Sequence, residues 1–138
     1  MVLFAMPRSS SFLSSAPTLQ PEHAQYADYL QFLLFGEASM AAFLNPVLLT
    51  HFSAPEDQKQ NFTVDAAKNI YCIRLKSLEA QLAKADHMAG DFTAADISVG
   101  WALGLGATLG LDAHYSPKVE AYRSRLQARP AYRAAAAK

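Results

Sequence analysis

The sequence runs to 138 residues with twelve basic and twelve acidic side chains, enough chain for one domain with a real core and no net charge. No run of like charge exceeds two residues, which excludes the basic face of a nucleic-acid binder and the polybasic segment of a membrane-surface protein. Cys72 is the only cysteine, so an internal disulfide is impossible and a reducing, cytoplasmic setting is expected.

Met1 to Met6 is a short apolar run that no positive charge precedes and that Pro7-Arg8 ends, unlike a secretory signal. One arginine among the serines is too few for an organelle transit peptide. Serine-rich and interrupted by Pro7 and Pro17, residues 1–20 read as a flexible leader, and residues 21–138 as a single helical domain.

Pro21 occupies a helix N1 position and Glu22 adds a favourable first-turn charge, so a first helix is expected from there to Asn45-Pro46. Between Tyr29 and Leu44 its only formal charge is Glu37. Tyr26, Leu30, Leu33 and Glu37 make one line at helical spacing, and Phe35, Ser39 and Phe43 make another. Phe32, Leu34, Met40 and Leu44 occupy much of the remaining circumference. A helix on the outside of a small bundle needs one apolar stripe. This one is apolar nearly all round, so it is central, or covered from beyond its own bundle, or both. The uncharged stretches on either side of Glu37 are too short to span a bilayer, and no membrane association is expected.

Ser53-Ala54-Pro55-Glu56-Asp57 reads as the start of a second helix running to about Asp86, with Ser53 or Ala54 near the cap. Val64, Ala67, Tyr71, Leu75, Leu78, Leu82 and Ala85 recur at steps of three and four, a clean apolar stripe that Phe62, Ile70 and Ile73 broaden. Cys72 lies inside this pattern and reads as a buried small hydrophobe.

The next stretch, Gly90-Asp91-Phe92-Thr93-Ala94-Ala95-Asp96-Ile97, opens an uncharged run of fifteen residues that ends at Leu111. Thr93 and Asp96 stand three apart, a variant capping box in which the hydroxyl accepts from the Asp96 N–H and the carboxylate reaches back to the Thr93 N–H. Phe92 falls at N′ and Ile97 at N4, the positions of a hydrophobic staple. Gly100, Gly104, Gly106 and Gly110 each cost on the order of 1 kcal/mol of helix propensity relative to alanine, which implies close backbone approach in a buried central helix. No G-x-G-x-x-G follows a strand, so a phosphate-binding loop is excluded.

Ser116-Pro117 restarts a helix in which Val119, Tyr122, Leu126 and Ala128 pack, and Pro130-Ala131-Tyr132-Arg133 begins a short last one. No convincing strand pattern occurs, and the expected fold class is all-α, a helical bundle. The histidines show no metal-ligand spacing, so no metal is expected. Nor does any residue read as a catalytic acid, base or nucleophile.

A long aromatic-rich helix ending near Asn-Pro, a charged second helix, the Gly90–Ile97 cap on a buried helix and the closing Ala128-Arg129-Pro130-Ala131-Tyr132 follow one another in that order. The chain resembles the C-terminal helical domain of the glutathione transferase family, over roughly Leu19 to Lys138. Members of that family bind glutathione on a thioredoxin-like N-terminal domain, which also supplies the residue that activates the thiol. Nothing in these 138 residues corresponds to that domain, and the family's Glu-Ser step before the third helix is absent. The resemblance therefore implies half an enzyme: no cofactor held by this chain alone, and glutathione as co-substrate only when a thioredoxin-like domain is supplied. It also implies that the first helix touches that domain, lines the pocket for a small apolar electrophile and contributes to a homodimer interface.

By helix face and by resemblance, Phe35, Ser39 and Phe43 with Trp101 and Leu105 are the candidate substrate-pocket residues; plain core packing is the other reading of each. Phe92, Thr93, Asp96 and Ile97 are structural. Two functions stand at this point: a co-substrate wall that is inactive alone, or a non-catalytic helical module that binds protein partners through the same face.

Overall fold

The computed structural model describes residues 17–137. The expected leader lies outside the described residues up to position 16. Its last four residues run along the domain, where the Pro17 carbonyl accepts from the Ala94 N–H at 3.0 Å and Leu19 packs on the core. The chain is all-α: among the described residues no strand forms, only a lone antiparallel bridge between Ala89 and Asp91. In order come α1 (Tyr26–Leu34), a wide π-helical turn (Phe35–Ala41), α2 (Ala42–Ser53), α3 (Phe62–Leu82), α4 (Ala94–Thr108), α5 (Pro117–Gln127) and α6 (Pro130–Ala136). Short 3-10 turns occupy Glu56–Gln58 and Leu111–His114.

The first helix starts later than Pro21 suggests. His23 Nδ1 accepts from the Gln25 N–H at 3.1 Å and the Tyr26 N–H bonds the His23 carbonyl at 3.0 Å, which holds residues 21–25 in turns until Tyr26. It also ends later. Asn45-Pro46 does not close it; Pro46 lies inside α2, which continues to Ser53. A proline ring normally crowds the carbonyl four residues back and removes a donor. Here the wide turn ending at Ala41 lies immediately upstream and loosens the ladder before the proline arrives. Tyr26–Ser53 thus forms 28 helical residues of mean hydropathy 1.6, long and apolar enough by composition to cross a membrane. Glu37 interrupts the stretch, and 33% of its apolar window is buried inside the domain, the rest lying outside the core.

The second long helix begins at Phe62, not at Ser53-Ala54, because Asn61 is the better cap: its Oδ1 accepts from the Val64 N–H at 3.0 Å. Ser53 is instead the last residue of α2. Val64, Ala67, Tyr71, Leu75 and Leu78 are buried along the expected stripe, whereas Phe62 (86% exposed) and Ile73 (49%) face outward and do not broaden it. Cys72 is half-buried against the core, and burial pushes its thiol pKa up.

α4 crosses the middle of the domain, against α1, the wide turn and α5. Ala95, Asp96, Val99, Ala102 and Leu103 are almost wholly buried. Of its glycines, Gly106 is needed for close approach, since a Cβ there would collide with the Tyr71 and Tyr115 hydroxyls. Gly104 has open space around it, so the Gly100-x-x-x-Gly104 pair is not a two-glycine seam. Gly110 lies beyond the helix in the left-handed region (φ 76°) and helps to end it. In α5, Val119, Tyr122 and Leu126 are buried, while Ala128 is exposed just past its end.

Candidate functional site

The cap that opens α4 is the most densely bonded polar centre described in the domain. Asp96 is fully buried. Its Oδ2 accepts from the Thr93 N–H at 2.8 Å and lies 3.4 Å from the Thr93 hydroxyl, which itself accepts from the Ala95 N–H at 3.3 Å; both halves of the capping box are formed. Asp96 Oδ1 looks the other way. It accepts from the Met88 N–H at 3.1 Å and from the Tyr122 hydroxyl at 2.8 Å. One carboxylate therefore ties together the loop after α3, the start of α4 and the middle of α5. Burial, and then the Asp96 charge, push the Tyr122 pKa far above the ordinary tyrosine value, so this hydroxyl stays a donor. His87 Nδ1 lies 3.3 Å from Asp96 Oδ1 but off the line of a hydrogen bond, and this buried nitrogen has no hydrogen-bond partner among the described residues. The Phe92 ring stands edge-on to His87 at 6.0 Å and carries the Arg129 guanidinium 3.4 Å above its centre. Ile97, its expected staple partner, is 40% exposed.

The pocket candidates lie along a different edge, between the first helix and α4. The two run in the same direction: Gln25 lies beside Gly90, Ser98 Oγ donates to the Leu33 carbonyl at 2.7 Å, and Gly36 sits directly on Ser98. Beyond Leu34 the contact with α4 is made by the wide turn, whereas α2, which carries Phe43, packs mainly on α3. Phe35 stacks edge-on to Phe32 at 5.6 Å, half-buried, so it serves the core with one side of its ring. Ser39 and Phe43 are half-buried and Leu105 packs partly on the core. Trp101 is 54% exposed, an unusual position for an indole. Leu34 is also exposed, at 65%.

Gly36, Ser98, His87 and Tyr122 escaped the sequence reading as partners. A glycine inside an aromatic helix is the signal that was available for the first of them, as it was for Gly106. A separate groove of about 250 Å³ lies between Val47 and His51 of α2 and Val64 and Lys68 of α3, rimmed by Glu56, Lys59 and Gln60. None of the candidate residues lines it. Among the described residues no cluster of histidine, cysteine and carboxylates has the makings of a metal site.

No family model and no curated protein matches the sequence. Solved structures do. The chain is 28% identical to a sphingomonad glutathione S-transferase complexed with glutathione (TM-score 0.69), over 86% of this chain and 56% of that one. A glutathione transferase from Phanerochaete chrysosporium in complex with oxidised glutathione is 22% identical (TM-score 0.71), over 88% and 56%. One from Pseudomonas putida, with one glutathione disulfide bound per subunit, is 23% identical (TM-score 0.70), over 86% and 54%. The chain thus spans little more than half the length of the proteins it matches. It has the all-α fold of the C-terminal helical domain of glutathione transferases.

Proposed function

We propose that the chain is the co-substrate half of a glutathione transferase-type protein: Phe35, Ser39, Phe43, Trp101 and Leu105 form the wall against which a small apolar electrophile is held. The observation that carries this reading is the half-open apolar edge beside α4, with Trp101 largely exposed on it, in a fold shared with glutathione-bound transferases. Glutathione brings the thiol nucleophile, and a thioredoxin-like domain binds and activates it. The wall's contribution is to hold the electrophile in position and keep water away from it. Among the described residues, the polar side chains at the centre are engaged in capping and in tyrosine hydrogen bonds, which supports leaving thiol activation to the other domain. Homodimerisation and a cytoplasmic location belong to the same reading, as does the absence of a nucleic-acid or membrane partner; the balanced charge supports the nucleic-acid part.

The test is conjugation of glutathione to a chromogenic electrophile by the purified chain, alone and mixed with a thioredoxin-like half. The chain alone is expected to stay at background, and the mixture to turn over. Robust turnover by the pure chain defeats the proposal. A stable complex with no turnover supports instead a non-catalytic module, a reading favoured by the apolar residues Leu49 (68% exposed) and Phe52 (73%) on α2.

A further inference from the structure

We propose that Ser98 and Gly36 are positioning residues, which hold open the wide turn Phe35–Ala41 and so set Phe35, Ser39 and Phe43 in one line; the proposal rests on the wall reading given above. In a regular helix of 3.6 residues per turn, residues four apart drift round the axis by about 40° at each step. Phe35, Ser39 and Phe43 are spaced by fours and would spiral away from a common face. In the wide turn the Ala42 N–H bonds the Glu37 carbonyl, five residues back. A turn closed that way advances less per residue, so residues four apart stay close to a single line.

Such a turn is rare within an α-helix and needs something to hold it. Ser98 Oγ donates to the Leu33 carbonyl at 2.7 Å, just where the regular ladder gives way. Gly36, three residues on, is buried so closely on Ser98 that a Cβ would collide with its hydroxyl and with its backbone carbonyl. The hydrogen bond and the backbone contact fix the turn to α4 from the same residue. Ser98 lies in the same helix shortly after the Thr93–Asp96 cap. The pair thus connects the most rigid element of the domain to the residues proposed to meet the electrophile.

Two variants of the full chain test this. Deleting Ala38, which is exposed in the wide turn, lets the segment close as regular helix while Phe32 before it and Leu44 and Val47 after it keep their buried faces. Ser98→Ala removes only the hydroxyl. Trp101 is the sole tryptophan, so energy transfer from it to 8-anilinonaphthalene-1-sulfonate reports dye bound within reach of the wall. Both variants are expected to keep their helical circular dichroism. Ser98→Ala should raise the apparent dye Kd about fivefold, the worth of one hydrogen bond, and the deletion by at least as much. In the mixture with a thioredoxin-like half, the KM for the electrophile should rise while kcat and the KM for glutathione hold. Wild-type dye affinity in Ser98→Ala overturns the proposal, whether or not the deletion variant folds. A fall in kcat with the electrophile KM unchanged overturns it too. A parent chain that shows no transfer from Trp101 overturns the wall and its positioning together; a parent that binds while both variants bind equally well overturns the positioning alone.

Discussion

Replacing Asp96 by alanine should cost far more than the loss of a helix cap. A side-chain cap is worth about 1 kcal/mol, with a range of about 0.5–2. At Asp96, however, the substitution strips the acceptor from four buried donors at once: the Thr93 N–H (2.8 Å) and hydroxyl (3.4 Å), the Met88 N–H (3.1 Å) and the Tyr122 hydroxyl (2.8 Å). Each buried donor left unsatisfied costs about 1–3 kcal/mol, so the sum is about 3–6 kcal/mol even after some relaxation. Tyr122→Phe removes one donor and leaves the carboxylate its other partners, and about 1–2 kcal/mol is expected. Urea denaturation followed by circular dichroism reads both, with m held near the parent value. If Asp96→Ala costs less than about 2 kcal/mol, the residue is an ordinary cap and the argument for a three-element junction fails. Stopped-flow refolding adds a kinetic arm. The cap is local in sequence and joins elements that must meet early, so Asp96→Ala should slow refolding; a change confined to the unfolding rate would refute its place in the folding nucleus.

The glycines of α4 should behave oppositely. Gly104→Ala, with open space around it, should stabilise the chain by roughly 0.5–1 kcal/mol through helix propensity, whereas Gly106→Ala drives a methyl into two tyrosine hydroxyls and should destabilise it by about 1–3 kcal/mol; the urea midpoints decide. Stability should also collapse at high pH. Burial raises the pKa of Tyr71, Tyr115 and Tyr122 above the ordinary 10.0, Tyr115 to about 12, so the folded chain holds these protons more tightly than the unfolded one. Their contribution is intact below pH 10 and is lost as the pH climbs from 10 to 12 and beyond, at about 1.4 kcal/mol per pH unit for each tyrosine. Urea midpoints measured across that window, with a shallower slope in Tyr122→Phe, check it; a flat profile would contradict the burial of these hydroxyls.

Much of the architecture was legible in the residues because it rests on local signals. The Thr93–Asp96 box, the Ser116-Pro117 start and the Val64-to-Leu78 stripe each depend on a few neighbours along the chain, and each forms as expected. The failures came where a distant contact overrides a local rule. Pro46 reads as a stop, yet the helix passes it, because a widened turn anchored on α4 precedes it. Ser53-Ala54-Pro55 reads as a start, but Asn61 competes and wins with a real side-chain bond. For the candidate wall, periodicity gave the lines on each helix but carried nothing about how the two helices lie against each other. That Asp96 also serves Met88 and Tyr122 was not legible at all, since nothing in a capping box indicates what lies against the far oxygen of its carboxylate.

The seam around Gly106 carries a consequence for how such a sequence can change over time. Tyr71 and Tyr115 share a 2.7 Å hydrogen bond, reach the carbonyls of Ala102 and Leu103, and close over the space a side chain at position 106 would fill. Positions 71, 106 and 115 are therefore not three independent choices. A larger residue at 106 would meet both hydroxyls and the Tyr71 ring, so removing one hydroxyl does not make room for it, and that loss breaks the bond between the tyrosines while leaving the other its backbone carbonyl. The three side-chain positions share one space and one hydrogen-bond network, so the effects of changing them do not add. Among related chains these three positions are expected to change together or not at all.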